Sequence, residues 1–189
     1  LRTIYLYPMA LSFIVTGTAW KWILNPGLGL ERLVRQMGFS EFTFDWLVNP
    51  KMAIYTVVIA GVWQSSGFVM ALFLAGLRGI DDAIVKAAQV DGASLPRIYR
   101  RIIIPSLRPV FFSAIIILGH IAIKSFDLVV VLTRGGPGFA SDVLTSVIYK
   151  QYQAGFYGLS TAGNVVLFIL VTIIVYPLMW YFNRRELEL

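Results

Sequence analysis

The sequence contains no cysteine, a single histidine and few charged residues. The lack of cysteine excludes disulfides, thiolate-bound metals and iron–sulfur clusters. Charged residues make up 14% of the 189 positions and hydrophobic residues 58%, whereas an ordinary soluble domain carries about 25% charged residues. The chain begins with Leu1 and shows no pattern of a cleavable signal peptide. We therefore expect a piece of a longer membrane protein rather than a soluble domain.

The apolar residues are concentrated in four long runs, at positions 4–24, 53–77, 109–133 and 161–182. A helix of about 20 apolar residues crosses the hydrocarbon core of a bilayer, which is about 30 Å thick, so each run is long enough to do so. A helix buried in a soluble protein rarely reaches this length without a polar face. The pattern predicts an all-α, polytopic transmembrane helix bundle with about four spans in the lipid bilayer.

Basic residues give the orientation of these spans. The net charge is +6, but the basic residues are interleaved with the apolar runs and form no aromatic-flanked patch, so we expect no nucleic-acid partner. Six of them lie at 78–108, and Arg184 and Arg185 follow the fourth run. Two spans separate these sites, which puts both on one side, and their positive charge predicts that this side is cytoplasmic. The segments 25–52 and 134–160 are then outside.

The cytoplasmic segment 81–104 predicts two short helices with a break between them. Asp81 or Asp82 can cap the first helix, and Gly92 suits the left-handed residue that ends it. Ser94 can cap the second helix, in which Pro96 is tolerated in the first turn. On these grounds alone the segment is either a structured loop with solvated charges or an element with a specific function.

This segment resembles the coupling loop of carbohydrate-uptake ABC importer permeases, the maltose-permease-like inner-membrane components of binding-protein-dependent transport systems. Their loop has the pattern E-A-A-x-x-D-G-A, followed by an aromatic residue, I-x-L-P and a second proline. The matching residues are Ala87, Ala88, Asp91, Gly92, Ala93, Tyr99, Ile102, Ile104, Pro105 and Pro109. Trp63, Gly67 and the segment 132–137, similar to L-T-x-G-G-P, extend the match over essentially the whole chain. The amino-acid pattern of the chain is most similar to that of glucose/mannose-type permeases.

The resemblance implies the type I ABC importer permease fold, with about two further spans before Leu1. It also implies the partners: a second homologous permease subunit, a cytoplasmic ABC ATPase dimer, an external solute-binding protein and a sugar. ATP and magnesium would be bound by the ATPase, so we expect no cofactor and no catalytic residue in this chain. The implied location is the bacterial inner membrane, and the implied mechanism is alternating access.

Two sets of residues are carried over from the family. For coupling to the ATPase they are Lys86, Ala87, Ala88, Asp91, Gly92 and Ala93. For the substrate pathway they are Gly61, Gln64, Ser65 and Phe68 on the second run, and Leu118, Ile121, Ala122 and Ser125 on the third. Several of the pathway residues are small or apolar, which suggests a smaller sugar or weak binding. Lys86 stands where the family has glutamate, so we expect it to meet an acidic group on the ATPase.

Three polar residues interrupt the third run. His120, Lys124 and Asp127 are spaced i, i+4 and i+7, which predicts one helix face. A charge at the bilayer centre costs about 2.5–3.5 kcal/mol, so these residues either line the substrate pathway or brace the helix against a neighbour. They could also form the relay of an ion-driven secondary transporter of a small solute. A lone histidine without a carboxylate cluster predicts neither a metal site nor an intramembrane enzyme.

The glycine-rich segment 134–138 lacks the G-x-x-x-x-G-K-[ST] order of a phosphate-binding loop. It also follows a span and lies on the outer side, where no ATP is expected. We expect it to form a tight turn beneath a docking surface for the external solute-binding protein, or else a plain loop.

Overall fold

A computed structural model of the chain describes residues 2–123 and 125–186. These residues form helices and connecting turns, and no strand occurs among them, which confirms the all-α prediction. In chain order the helices are α1 (Arg2–Ala10), α2 (Phe13–Ile23), α3 (Leu30–Gln36), α4 (Ala53–Arg78), α5 (Asp82–Val90), α6 (Leu95–Ile98), a π-helical turn (Tyr99–Ile103), α7 (Ile104–Ser106), α8 (Arg108–Ile123), α9 (Asp127–Leu132), α10 (Leu144–Gln153) and α11 (Tyr157–Glu186).

Two of the four predicted spans are single long helices. Helix α4 and the part of α11 at Tyr157–Pro177 are long and apolar enough to cross a membrane. The stretches Leu95–Ser106 and Arg108–Ile123 qualify as one span only when taken together, and they are bent by 57° relative to each other. Because α11 continues to Glu186, the two arginines that the charge argument placed inside belong to this helix.

The first and third apolar runs differ from the prediction because each is broken. The first run divides between α1 and α2, where Ser12 has extended backbone and its hydroxyl accepts a hydrogen bond from the Val15 N–H at 3.3 Å. This N-cap starts a new helix. The third run divides between the end of α8 at Ile123 and the start of α9 at Asp127. Length and hydropathy predicted continuous helices here because neither quantity registers a cap inside an apolar stretch.

Glycines let two helices approach α4 closely. A side chain at Gly67 would collide with the carbonyl oxygen of Tyr5 and would lie 3.1 Å from the Leu6 Cα atom, so the α1 backbone rests directly on α4. Nearer the C-terminal end of α4, a side chain at Gly76 would lie 2.5 Å from Val110 on α8. The α4–α8 crossing is reinforced by an edge-to-face pair of Phe73 and Phe111, with ring centroids 4.6 Å apart.

The main buried cluster joins α2, α4 and α9. Its members, all at most 5% exposed, are Val57, Ala60, Leu128, Val129 and Leu132. Phe13 and Trp20 of α2 pack against it. Helix α11 lies apart from this cluster and contacts α8 and α10, and only 6% of its span window is buried. Much of the apolar surface of α11 is therefore open to lipid or to another chain.

One acidic side chain holds together the segment between α2 and α4. Glu31 on α3 is buried, pairs with Arg35 at 2.7 Å and accepts a hydrogen bond from the Phe44 N–H at 3.0 Å. Arg35 in turn donates from Nε to the Phe42 carbonyl oxygen at 2.8 Å. These contacts fasten the extended chain after α3 to that helix.

Candidate functional site

The first arm of the hairpin at 81–104 is α5, and its start confirms one of the two predicted caps. The Asp81 side chain accepts a hydrogen bond from the Ala83 N–H at 2.8 Å. Asp82 is the first helical residue, where its negative charge favours the positive end of the helix dipole. The sequence therefore supplies both the cap and the charge that start this helix.

The end of α5 is built by Gly92, as predicted. Gly92 has φ +75°, a conformation that costs residues with a Cβ atom about 1–2 kcal/mol. Its N–H bonds to the Gln89 carbonyl, and the Ala93 N–H bonds to the Ala88 carbonyl, both at 3.0 Å. This pair of bonds is a Schellman motif, and it fixes the angle at which the chain leaves the helix.

The second arm runs from α6 through the π-helical turn into α8. Ser94 has the extended backbone of an N-cap but makes no side-chain cap hydrogen bond, so this part of the prediction is only half right. Ile98 is 1% exposed and anchors the arm. No residue pattern in this segment indicates the π-helical turn at Tyr99–Ile103.

The hairpin leaves apolar side chains uncovered. Val90 is 88% exposed, and Ile84, Leu95 and Tyr99 are each more than half exposed. Lys86 is also exposed and makes no ion pair with another described residue. Apolar side chains clustered on one surface segment are typical of a protein–protein contact, so the hairpin has the character of a docking element.

The four α4 residues predicted for the substrate pathway differ in their surroundings. Gln64 is 5% exposed, and its Nε2 atom donates to the Leu11 carbonyl oxygen at 2.7 Å. A side chain at Gly61 would lie 3.6 Å from Leu128. Ser65 and Phe68 are half-buried. Gln64 thus connects α4 to the α1–α2 break, and a contact between these residues and a sugar stays a prediction.

The predicted pathway residues of the third run lie at and beyond the C-terminal end of α8. Leu118, Ile121 and Ser125 are half-buried and Ala122 is exposed. Within the described ranges, no hydrogen bond or ring contact joins these four residues to the four on α4. The close contact of α4 with α8 lies at Gly76. The role of these residues as a substrate pathway stays a prediction.

The three polar residues of the third run do not share one helix. His120 belongs to α8 and Asp127 begins α9 after the break, so the prediction of a single helix face is wrong. Both side chains are exposed. Lys124 lies outside the described residues. Asp127 occupies the first turn of its helix, where a negative charge is favourable.

An open cavity of about 310 Å³ lies between α10 and the start of α11. Its lining is mostly aromatic and hydroxyl side chains, with one aliphatic and one amide side chain: Phe126, Thr145, Ile148, Tyr149, Tyr152, Ser160 and Asn164. The glycine-rich segment beside it forms the predicted tight turn, with Arg134, Gly135 and Gly138 all at positive φ.

Comparison with known families identifies the family of the chain. Residues 1–187 match the family described as binding-protein-dependent transport system inner membrane component. The chain belongs to this family. It is therefore a multi-pass membrane protein, and family membership favours the ATP-driven interpretation over the ion-driven one.

Three relatives show the range of the family around this permease chain. It is 40% identical to a probable ABC transporter permease protein of Pyrococcus horikoshii, with 98% of this chain and 64% of the relative covered. It is 38% identical to a xylose/arabinose import permease of Haloferax volcanii (95% and 57% covered). It is 36% identical to a trehalose/maltose transport system permease of Thermococcus litoralis (90% and 58% covered). The chain spans about three-fifths of the length of these relatives.

A solved structure confirms the permease fold. The chain is similar to a bacterial ABC transporter involved in the import of alginate, with a TM-score of 0.85, 24% identity, and 97% of this chain and 64% of that chain covered. A second structure of such an alginate transporter, in complex with an alginate pentasaccharide-bound periplasmic protein, gives a TM-score of 0.82 at 24% identity. The permease chain thus has the importer permease fold.

Proposed function

We propose that this permease chain forms part of the translocation pathway of an ATP-dependent sugar importer in the cytoplasmic membrane. The observation that carries the proposal is the hairpin formed by α5 and α6. It is capped at both ends of α5, with Gly92 fixing the turn, and it leaves Ile84, Val90 and Leu95 exposed while Ile98 is buried. A rigid, uncovered element is suited to pass force from a separate motor protein to the spans.

The motor partner in this proposal is a cytoplasmic ABC ATPase dimer, which would bind ATP and magnesium. Helix α5 would lie in a groove of the ATPase, where Ala87 and Ala88 permit close backbone approach. Lys86 would meet an acidic group on the ATPase. Closure of the ATPases would then move the hairpin and, through the bent second arm, α8.

The proposed cargo is a sugar, delivered outside by a solute-binding protein to a pathway shared with a second permease subunit. Two of the relatives are named for the import of sugars, xylose/arabinose and trehalose/maltose. No arginine lies at positions 53–77, 109–133 or 157–183, the apolar parts of α4, α8–α9 and α11, which makes a phosphorylated cargo less suitable. The glucose/mannose type of sugar and the bacterial inner membrane as the location stay predictions.

The test is ATP hydrolysis by the complete transporter. The full-length permease is reconstituted in vesicles with its second permease subunit, its ATPase and its binding protein, and a panel of pentoses, hexoses, disaccharides, a sugar phosphate and amino acids is added. We expect ATPase stimulation by one class of unphosphorylated sugar, together with its uptake. Stimulation by amino acids alone, or uptake driven by an ion gradient without ATP, would overturn the proposal.

A further inference from the structure

The outer loop that follows α9 is held by a dense set of hydrogen bonds. Thr133 donates from its hydroxyl to the Val129 carbonyl at 3.0 Å and accepts from the Gly135 N–H at 3.2 Å. The Ser141 hydroxyl, which is fully buried, lies 2.7 Å from both Thr133 Oγ1 and the Gly136 carbonyl oxygen. Both ends of the loop are therefore tied to the last turn of α9.

An ion pair forms the base under this loop. The Asp142 carboxylate, whose side chain is 6% exposed, contacts Lys150 Nζ at 2.7 Å and 2.8 Å. The same carboxylate accepts a hydrogen bond from the Ser146 hydroxyl at 2.8 Å. A carboxylate this deeply buried is stable only when it is paired and hydrogen-bonded, so α10 is positioned by a contact that is costly to break.

At Gly135 the loop backbone packs directly against the ion pair of Asp142 and Lys150. It has φ +81°, and a side chain there would collide with the Asp142 carboxylate and lie 2.7 Å from Lys150 Nζ. The loop therefore rests directly on the two charged groups. Its shape depends on them.

The element that this base supports is Phe139, at the tip of the loop. Its side chain is 81% exposed, and Lys150 Nζ lies 5.7 Å from the centre of its ring. Its neighbours Gly138 and Ala140 are exposed, and so is Arg134. A single aromatic ring on a fastened loop loses little conformational freedom on binding and is typical of an interface anchor.

We propose that Phe139 is an aromatic contact for the external solute-binding protein, and that Asp142 and Lys150 are positioning residues that hold it in place. This inference rests on the proposed function. A protein pocket suits the ring better than the outer leaflet does, because Phe139 stands between the exposed Gly138 and Ala140 with the Lys150 ammonium near its ring, not within an apolar band. The position is on the side opposite the coupling hairpin, where the binding protein would arrive.

The first test measures ATP hydrolysis by the complete reconstituted transporter against the concentration of sugar-loaded binding protein. Phe139→Ala should raise the half-saturating concentration by about tenfold, as for the loss of an interface anchor, and should leave the basal and maximal rates unchanged. Phe156→Ala, an exposed aromatic on the same side, is the matched control and should have no effect. An unchanged half-saturating concentration in Phe139→Ala overturns the inference.

The second test separates positioning from mere stability. Lys150→Met, which keeps the length of the side chain but loses its charge, should raise the half-saturating concentration as Phe139→Ala does. Lys150→Arg, which restores the charge, should return it to the wild-type value. The Lys150→Met, Phe139→Ala double variant should be no worse than either single variant, because both changes act on the same contact. Additive losses would show that Lys150 does not act through Phe139.

The third test identifies what touches the ring. The 189 residues contain no cysteine, so Phe139→Cys gives a site for an environment-sensitive fluorophore in the full-length permease, after any cysteine elsewhere is replaced. We expect a blue shift when binding protein is added to vesicles. A blue shift in vesicles alone, with no further change on addition, would place the ring in lipid and overturn the inference. If no binding protein stimulates the wild-type transporter, the proposed function itself fails, whereas normal stimulation with a silent Phe139 refutes only this contact.

Discussion

Gln64 on α4 donates a hydrogen bond of 2.7 Å to the carbonyl oxygen of Leu11, at the point where the first apolar run breaks between α1 and α2. A helix break in a membrane frees backbone groups that water cannot reach, and each must find a partner within the protein. Gln64 supplies that partner across 53 positions of sequence. The break and the long helix are therefore coupled through one amide group.

Replacing Gln64 should destabilise the packing of α1 and α2 on α4. Gln64→Leu leaves the Leu11 carbonyl without its side-chain donor, at a cost of about 1–3 kcal/mol. Gln64→Glu should cost more, because a carboxylate oxygen would face the carbonyl oxygen at the same short distance. Thermal unfolding of the detergent-solubilised permease measures both, with Ser66→Ala, an exposed position that bonds its own helix, as the control. A glutamate variant as stable as the leucine variant would contradict this account.

Gly67 should not tolerate any side chain. Gly67→Ala forces the α1 backbone away from α4 at Tyr5, and overpacking of this kind costs about 1–3 kcal/mol. Gly61→Ala on the same helix meets Leu128 at an ordinary 3.6 Å and is the matched control. The fraction of folded protein after solubilisation compares the two. Equal yields would show that α1 can move away without cost.

A change at Gly92 should affect coupling more than stability. Gly92→Ala meets no atom within 4 Å, so its cost arises from the positive φ alone and is about 1–2 kcal/mol. We expect the hairpin to change its angle, with weaker co-purification of the ATPase and less sugar transported per ATP hydrolysed. Gly79, at the end of α4 just before the hairpin, has φ −80°, so Gly79→Ala should behave as wild type. Normal coupling in Gly92→Ala would contradict a rigid hairpin.

The charge of Lys86 should matter for the proposed ATPase contact. Lys86→Glu should reduce transport-coupled ATP hydrolysis by about tenfold if it replaces attraction by repulsion at one close charge pair. Lys86→Arg keeps the charge and should retain activity. The assay is ATP hydrolysis with saturating binding protein and sugar. Unchanged hydrolysis in Lys86→Glu would remove Lys86 from the contact.

The parts of the fold that the sequence predicted are those governed by local rules. Asp81 as a cap and Gly92 as a left-handed residue follow from side-chain chemistry within a few positions. The break at Ser12 was missed because an N-cap serine inside an apolar run is indistinguishable by hydropathy from a serine within a span. The break before α9 offers no such signal, since its N-cap residue is Phe126 and makes no side-chain cap hydrogen bond. The single helix face of His120 and Asp127 was wrong because this second break could not be seen in the sequence.

The contacts that the sequence did not predict are those between distant residues. Gln64 was expected in the substrate pathway, and nothing near it in sequence indicates that its partner is Leu11. The ion pair of Asp142 and Lys150 had a signal, since these are the only charged residues between Arg134 and Arg184. Two opposite charges alone in such a stretch favour a mutual contact, but their spacing of eight fits no single helix turn, so geometry was needed to pair them.

The π-helical turn at Tyr99–Ile103 has a consequence for how the hairpin is aimed. Such a turn holds one residue more than an α-helical turn, and one residue corresponds to about 100° of rotation about a helix axis. Deleting a single residue here would rewind the arm as regular α-helix and swing α5 to another side of α8. The number of residues in this turn therefore sets the direction in which the hairpin projects from α8. In a homologue with one residue fewer, the motor protein would have to bind from a different side of α8.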